Sequence, residues 1–200
     1  MLGATYRIVV TSSITVVLST AHGPGSAVEI NPNPEQIAGA LEEGKAAAQA
    51  RVPPDRLYAW FGSKEDLEPR GFLMTKIAGL RVMATHFALR GEHPTGEDIQ
   101  KILDEPSLLI SVTFFGDRPN FAADSYMLLT QGDRTVKPVK VRFDGRAQRS
   151  SAWPRSPAFQ GKIVASFPYA DLDPKASTRL SVFPSAGGEI SFDLDFSNID

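Results

Sequence analysis

The sequence predicts an α+β fold: two to three N-terminal helices packed beside a C-terminal antiparallel β-sandwich of about six strands. Three observations predict it. Between about residues 34 and 104, apolar residues recur at helical spacing behind capping residues. From Leu108 onward the period changes to two. From Gln160 to the C-terminus three alternating stretches follow one another: Ile163, Ala165 and Phe167; Leu180 and Val182; Ile190, Phe192, Leu194 and Phe196. Each has one apolar and one wet face, so they read as three successive antiparallel strands that close one sheet of the sandwich. A chain of 200 residues can bury one ordinary core. The expected division is a signal segment, residues 1–27, and one domain, residues 28–200. Its helical part covers about 34–104 and its sandwich part about 107–200.

The N-terminal stretch differs from the rest. Arg7 is the only charge in the first 28 residues, and Ile8 to Leu18 is apolar and β-branched. Ser19 and Ala21, or Gly25 and Ala27, have the spacing of a cleavage site. This is the layout of a secretory signal peptide, too short for a comfortable membrane span. A buried N-terminal strand is the competing reading. The chain has no cysteine, which rules out disulfides, thiolate metal sites, a cysteine nucleophile and a lipidated cysteine.

Three helices follow. Asn33 is a good N-cap, with Pro34 at N1 and Gln36 at N3, for a helix from Pro34 to about Arg51. Its stripe of Ile37, Leu41 and Ala48 is thin, and Val52-Pro53-Pro54 stops it. Thr75 caps a second helix, Lys76 to about Arg90, with Ile77, Leu80, Ala84 and Phe87 on one stripe and Gly91 at C′. Thr95, with Asp98 three residues on, caps a third from Gly96 to Leu103. Between the first two helices, Leu57, Tyr58, Trp60 and Phe61 cluster beside the turn Ser63-Lys64-Glu65-Asp66. They read as a loop or short helix pinned to the core, or alternatively as an aromatic platform for a ligand. Gly71 to Met74 reads as a short strand.

In the second half, Leu108 to Phe115 is apolar enough for a central strand. Tyr126 to Gln131 and Thr135 to Phe143 read as two strands joined at Gly132-Asp133, with Pro138 forcing an edge or bulge. Tyr169 to Pro174 reads as a crossing loop with a helical turn. In the last hairpin, pairing Val182 with Phe192 and Leu180 with Leu194 leaves Ala186-Gly187-Gly188 as the loop and sets Arg179 opposite Asp195.

Charge supplies the one candidate site. From Lys137 to Lys162 seven cations face the single acid Asp144, leaving +6 in a chain whose net charge is −2. Lys140 and Arg142 should share a strand face, while Arg146, Arg149 and Arg155 should occupy a Ser/Pro-rich loop around Trp153. Arginines beside an exposed tryptophan suit an anionic partner, by bidentate contact and stacking. The plainer reading is a solvated loop whose charges keep an edge strand from pairing.

No catalytic constellation is legible. The chain has His22, His86 and His93 only; the last two are seven apart across Gly91, not the spacing of a helical zinc site. Gly23-Pro24-Gly25 lacks the further glycine of a nucleotide loop, and no nucleophile elbow occurs. The triplets Asp171/Asp173 and Asp193/Asp195 offer calcium clustered carboxylates, but the second pair falls mid-strand with Arg179 as its partner. No metal or cofactor is expected. The reading is of an exported, periplasmic or extracellular envelope protein, a non-enzymatic module that binds an anionic component or another protein. Neither a nucleic-acid partner nor a transmembrane span in the mature chain is expected. The alternative is a hydrolase or other enzyme with a site near residues 57–68, with Glu65, Asp66 and Glu68 as candidate acids.

Overall fold

The structure, a computed structural model, describes residues 28–196. The expected signal segment and its cleavage sites lie outside them. The fold is α+β, with the sheet-rich half that the sequence implies, but it has ten strands among the described residues rather than about six.

Helix α1 spans Pro34–Gln49. Asn33 accepts from the backbone of Glu35 and Gln36, and the Gln36 side chain reaches back to the Asn33 N–H, a complete capping box. Helix α2 spans Lys76–Leu89 behind Thr75, whose hydroxyl accepts from Ala78 N. Its end is a Schellman motif: Gly91 N donates to Ala88 O and Glu92 N to Phe87 O, with Gly91 at φ +73°. Helix α3, Gly96–Leu103, has the expected box between Thr95 and Asp98. The three helices bury a small core of their own, built on Ala40, Ile77 and Leu80 with Ile37, Leu41, Ile99 and Ile102 around it.

The first sheet runs β1-β2-β3-β8-β6, with β7 also on β8. These strands are β1 (Ala59–Gly62), β2 (Arg70–Met74), β3 (Ser107–Gly116), β6 (Lys140–Phe143), β7 (Gln148–Arg149) and β8 (Phe159–Pro168). The second sheet runs β10-β9-β4-β5, from β4 (Tyr126–Gln131), β5 (Arg134–Val136), β9 (Ser177–Phe183) and β10 (Ile190–Asp195). All pairings are antiparallel. Alternate residues of both sheets meet in one core: Leu108, Ile110, Val112, Phe114, Ile163 and Phe167 from the first, Met127, Leu129, Leu180, Val182 and Leu194 from the second. Val28 is buried in the same core, and its N–H donates to Phe196 O.

Four expectations are corrected. The aromatic stretch is not a loop pinned to the core: after a 3-10 turn at Pro54–Leu57 it forms β1, so the stretch between α1 and α2 gives two strands to the sheet. Thr135 to Phe143 is not one strand. Its halves belong to different sheets, and Pro138, which has no N–H to give a ladder, stands at the crossing. The last three strands do not share a sheet: β8 lies in the first, β9 and β10 in the second, with the expected helical turn, Tyr169–Asp171, at the crossing.

The fourth correction is the register of the final hairpin, which is shifted by two. Val182 faces Ile190, Leu180 faces Phe192 and Arg179 faces Asp193. A shift of two keeps every side chain on its expected face. It lets Phe192 meet Phe61 of the first sheet edge-on at 5.0 Å, and it lengthens the loop to residues 184–189, with Gly187 and Gly188 at φ +94° and +86°. Arg179 Nε donates to Asp193 Oδ1 at 3.1 Å.

One link between the helices and the sheet-rich part runs through Lys76, the first residue of α2. Lys76 is nearly buried; its ammonium donates to Leu103 O at the C-terminus of α3 and lies 5.3 Å from the centre of the Tyr169 ring. Burial, with the Glu105 carboxylate, pushes the Tyr169 phenol well above its usual range, so it stays neutral beside that cation.

Candidate functional site

The loop from Gly145 to Ala158 is pinned along its length. Ala147 is buried and donates its N–H to Pro119 O at 2.7 Å. Ser150 N donates to Ala158 O, and the Ser150 hydroxyl donates to Pro157 O and accepts from Ala152 N. Asp117, at the end of β3, closes the loop from the other side: its carboxylate accepts from the Ser156 hydroxyl at 3.0 Å and from Ala158 N at 3.1 Å.

On this frame the structure brings two of the four expected site residues together. Arg149 pairs with Phe159 across β7 and β8. Its guanidinium carbon lies 4.0 Å from the centre of the Trp153 ring, a close cation–π stack, and the ring is 44% exposed. Arg146 and Arg155 are exposed on the same loop. None of the three arginines has an ion-pair partner among the described residues.

The remaining cations of the segment lie elsewhere. Lys140 pairs with Ser166, Arg142 with Val164, and Lys162 with Thr113. Partners in register share a face, and these rows alternate with the core rows Ile163, Ala165 and Phe167. The three cations therefore stand on the outer face of the first sheet. Strand register splits the +6 segment between that face and the loop.

The aromatic cluster is split too. Phe61 points to the core, while Tyr58 and Trp60 lie outside with Phe72 of β2. A groove of about 540 Å³ opens beside Trp60, lined by Asp55, Arg56, Lys64 and Arg70 among others. Glu65, Asp66 and Glu68 are exposed and do not line it. Arg70 takes two of this turn's groups: it donates to Glu65 O at 3.3 Å and stands 3.9 Å from the Asp66 carboxylate. His86 is exposed on α2. Asp171 pairs with Arg134 at 3.3 Å and Asp193 with Arg179. Among the described residues no group of three His, Asp or Glu side chains is placed to hold a metal ion, and no helix is long and apolar enough to cross a membrane.

No family model matches the chain. No curated protein sequence is similar to it. Among solved structures, it is similar to the archaellum periplasmic stator protein complex FlaF and FlaG from Sulfolobus acidocaldarius, over 44% of this chain and 77% of that chain, at 10% identity and a TM-score of 0.27. A likeness that slight says nothing of fold or role.

Two contributors escaped the sequence reading. Asp117 sits in a polar turn, and no local signal ties it to a loop some 40 residues on. Phe72 carried one: in a strand from Gly71 to Met74 it must face away from Leu73, and so away from the core.

Proposed function

We propose that this protein is exported to the periplasm or beyond and acts there as a non-enzymatic binding module. It holds an anionic envelope component, or an acidic face of another protein, against Arg146, Arg149, Arg155 and Trp153. One observation carries the reading: a guanidinium stacked on an exposed indole, flanked by two exposed arginines with no carboxylate partner among the described residues. A merely solvated loop has no need of that stack. Stacking holds the Arg149 plane while leaving its edge N–H groups open to a carboxylate or phosphate.

Replacing Arg146, Arg149 and Arg155 together with serine should leave stability within roughly ±0.5 kcal/mol per exposed site. The same variant should lose the salt-sensitive retention of the wild type on anionic liposomes or on an envelope extract. Equal retention of variant and wild type would reduce the segment to a solvated loop. Export is tested separately: mass spectrometry of protein from its native host should find a mature N-terminus at His22 or Val28. An intact Met1 would remove the envelope from the reading.

A further inference from the structure

We propose that the outer face of the first sheet binds a chain of acidic polysaccharide, with a sugar ring on Trp60, which Phe72 and Tyr58 brace, and its carboxylates on Arg142 and Lys162. This surface uses residues other than those of the arginine loop, and the inference goes beyond the function proposed for that loop.

The register fixes which residues share the face. One row crosses the sheet as Trp60, Phe72, Ser111, Val164 and Arg142; the next holds Arg70, Thr113 and Lys162. Neighbouring strands are about 4.8 Å apart, so the row from Trp60 to Arg142 is ~19 Å wide. One end is aromatic. Phe72 stacks on Tyr58 at 4.4 Å and meets Trp60 edge-on at 5.3 Å. Trp60 is half exposed, yet its Nε1–H donates to Asp55 O at 2.7 Å, so the ring is held rather than free. The other end is basic; between them Ser111 is buried and Thr113 and Val164 are half-buried short side chains, so none of these three stands up between the two ends.

Charge complementarity argues for the occupant. On the second sheet, the wet-face Arg179 is paired with Asp193. On the first, Lys140, Arg142 and Lys162 are exposed and have no ion pair among the described residues. The one acid beside them, Asp144, turns its carboxylate to the backbone N–H of Lys162. Protection of an edge strand would account for Lys140 and Arg142 on β6. It does not account for Lys162, which sits on β8 between β3 and β6.

Shape argues for a polymer of sugars. The row is ~19 Å long and runs from the groove beside Trp60 to Arg142, longer than a single concave pocket that takes a small ligand. A pyranose ring has a flat C–H face that lies on an aromatic ring, and a uronic acid adds one carboxylate per residue for the cations. A membrane would call for aromatic side chains that stand out from the surface. Here Phe72 lies half-buried between Tyr58 and Trp60.

The test is affinity electrophoresis of the whole chain in native gels containing polygalacturonate, with neutral dextran gels as reference. The wild type should be retarded by polygalacturonate and not by dextran. Trp60→Ala and the double variant Arg142→Ser/Lys162→Ser should each bind about tenfold more weakly, the loss of ~1.4 kcal/mol of contact. The loop triple variant should bind as the wild type does. The double variant alters no packed side chain, so it decides the matter if Trp60→Ala fails to fold. Absence of retardation overturns the proposal. Unchanged retardation of a folded Trp60→Ala would mean ion exchange alone, and overturns it too. Loss of retardation in the loop triple variant would place the polymer on the other surface. Binding to phosphatidylglycerol vesicles that depends on Arg142 and Lys162, without binding to polygalacturonate, would replace the polysaccharide with a lipid headgroup.

Discussion

Phe114→Ala is expected to lower the unfolding free energy by about 3–5 kcal/mol. Phe114 is fully buried on β3, the central strand of the first sheet's path, and lies in the core shared by both sheets. Its ring meets Phe121 at 5.1 Å, nearly perpendicular. The void left by truncation would be hard to close. A side chain on Gly116 would stand 2.6 Å from the Phe121 ring, and one on Gly161 would stand 3.1 Å from it. Phe121 therefore rests in the space that two glycines leave, and it cannot slide toward Phe114 without losing that contact. Urea denaturation should show a lower midpoint with an unchanged slope. A loss below ~1 kcal/mol would mean that the site collapses, and that the packing described around Phe121 is wrong.

A pair of glycine substitutions in α1 should move stability in opposite directions. Gly39 has open space where a Cβ would go, so Gly39→Ala should add about 0.5–1 kcal/mol by helix propensity. Gly44→Ala gains the same propensity but meets a wall. Its Cβ would stand 2.3 Å from the backbone oxygen of Arg81 and 2.7 Å from the Ala84 Cβ. Backbone cannot swing aside as a long side chain can, so α1 and α2 must separate. Separation also strains the bond that the Thr85 hydroxyl donates to Gly44 O at 2.9 Å, and the ion pair of Arg81 with Glu43. The net cost should be about 1–3 kcal/mol. Thermal melts of the two variants give the answer directly, and a stabilising Gly44→Ala would contradict the close approach of the helices.

Much of the local structure was legible because its causes are local. Asn33, Thr75 and Thr95 satisfy orphan N–H groups within one turn, and Gly91 supplies the left-handed residue that ends α2, so helix limits follow from a few neighbouring residues. The faces of β3, β8, β9 and β10 follow from alternation. What could not be read was which strands become neighbours. Strand β1 was hidden because both of its faces are apolar, Phe61 inward and Trp60 outward, so it shows no contrast of polarity. The break at Pro138 was visible as an interruption, but a change of sheet is set by partners far along the chain. The candidate cations divide for the same reason. Their total charge is a property of sequence, whereas the side of the sheet on which Arg142 or Arg149 stands depends on a register made with β8.

The crossing at Pro138 is one of three. The chain leaves the first sheet after β3, returns after β5, and leaves again after β8. Strands β3, β6 and β7 all pair with β8, and β4 and β10 both pair with β9. During synthesis, β6 and β7 thus emerge with no partner among the described residues until Phe159–Pro168 follows them. Strand β4 has only the three-residue β5 until Ser177–Phe183 appears. The first sheet cannot be completed before Phe159–Pro168 is made, nor the second before Ser177–Phe183 and Ile190–Asp195. A chain ended at residue 158 would therefore keep only β1-β2-β3 and the β4-β5 hairpin, with β6 and β7 unpaired and the β8 side of β3 and the β9 side of β4 left as open edges.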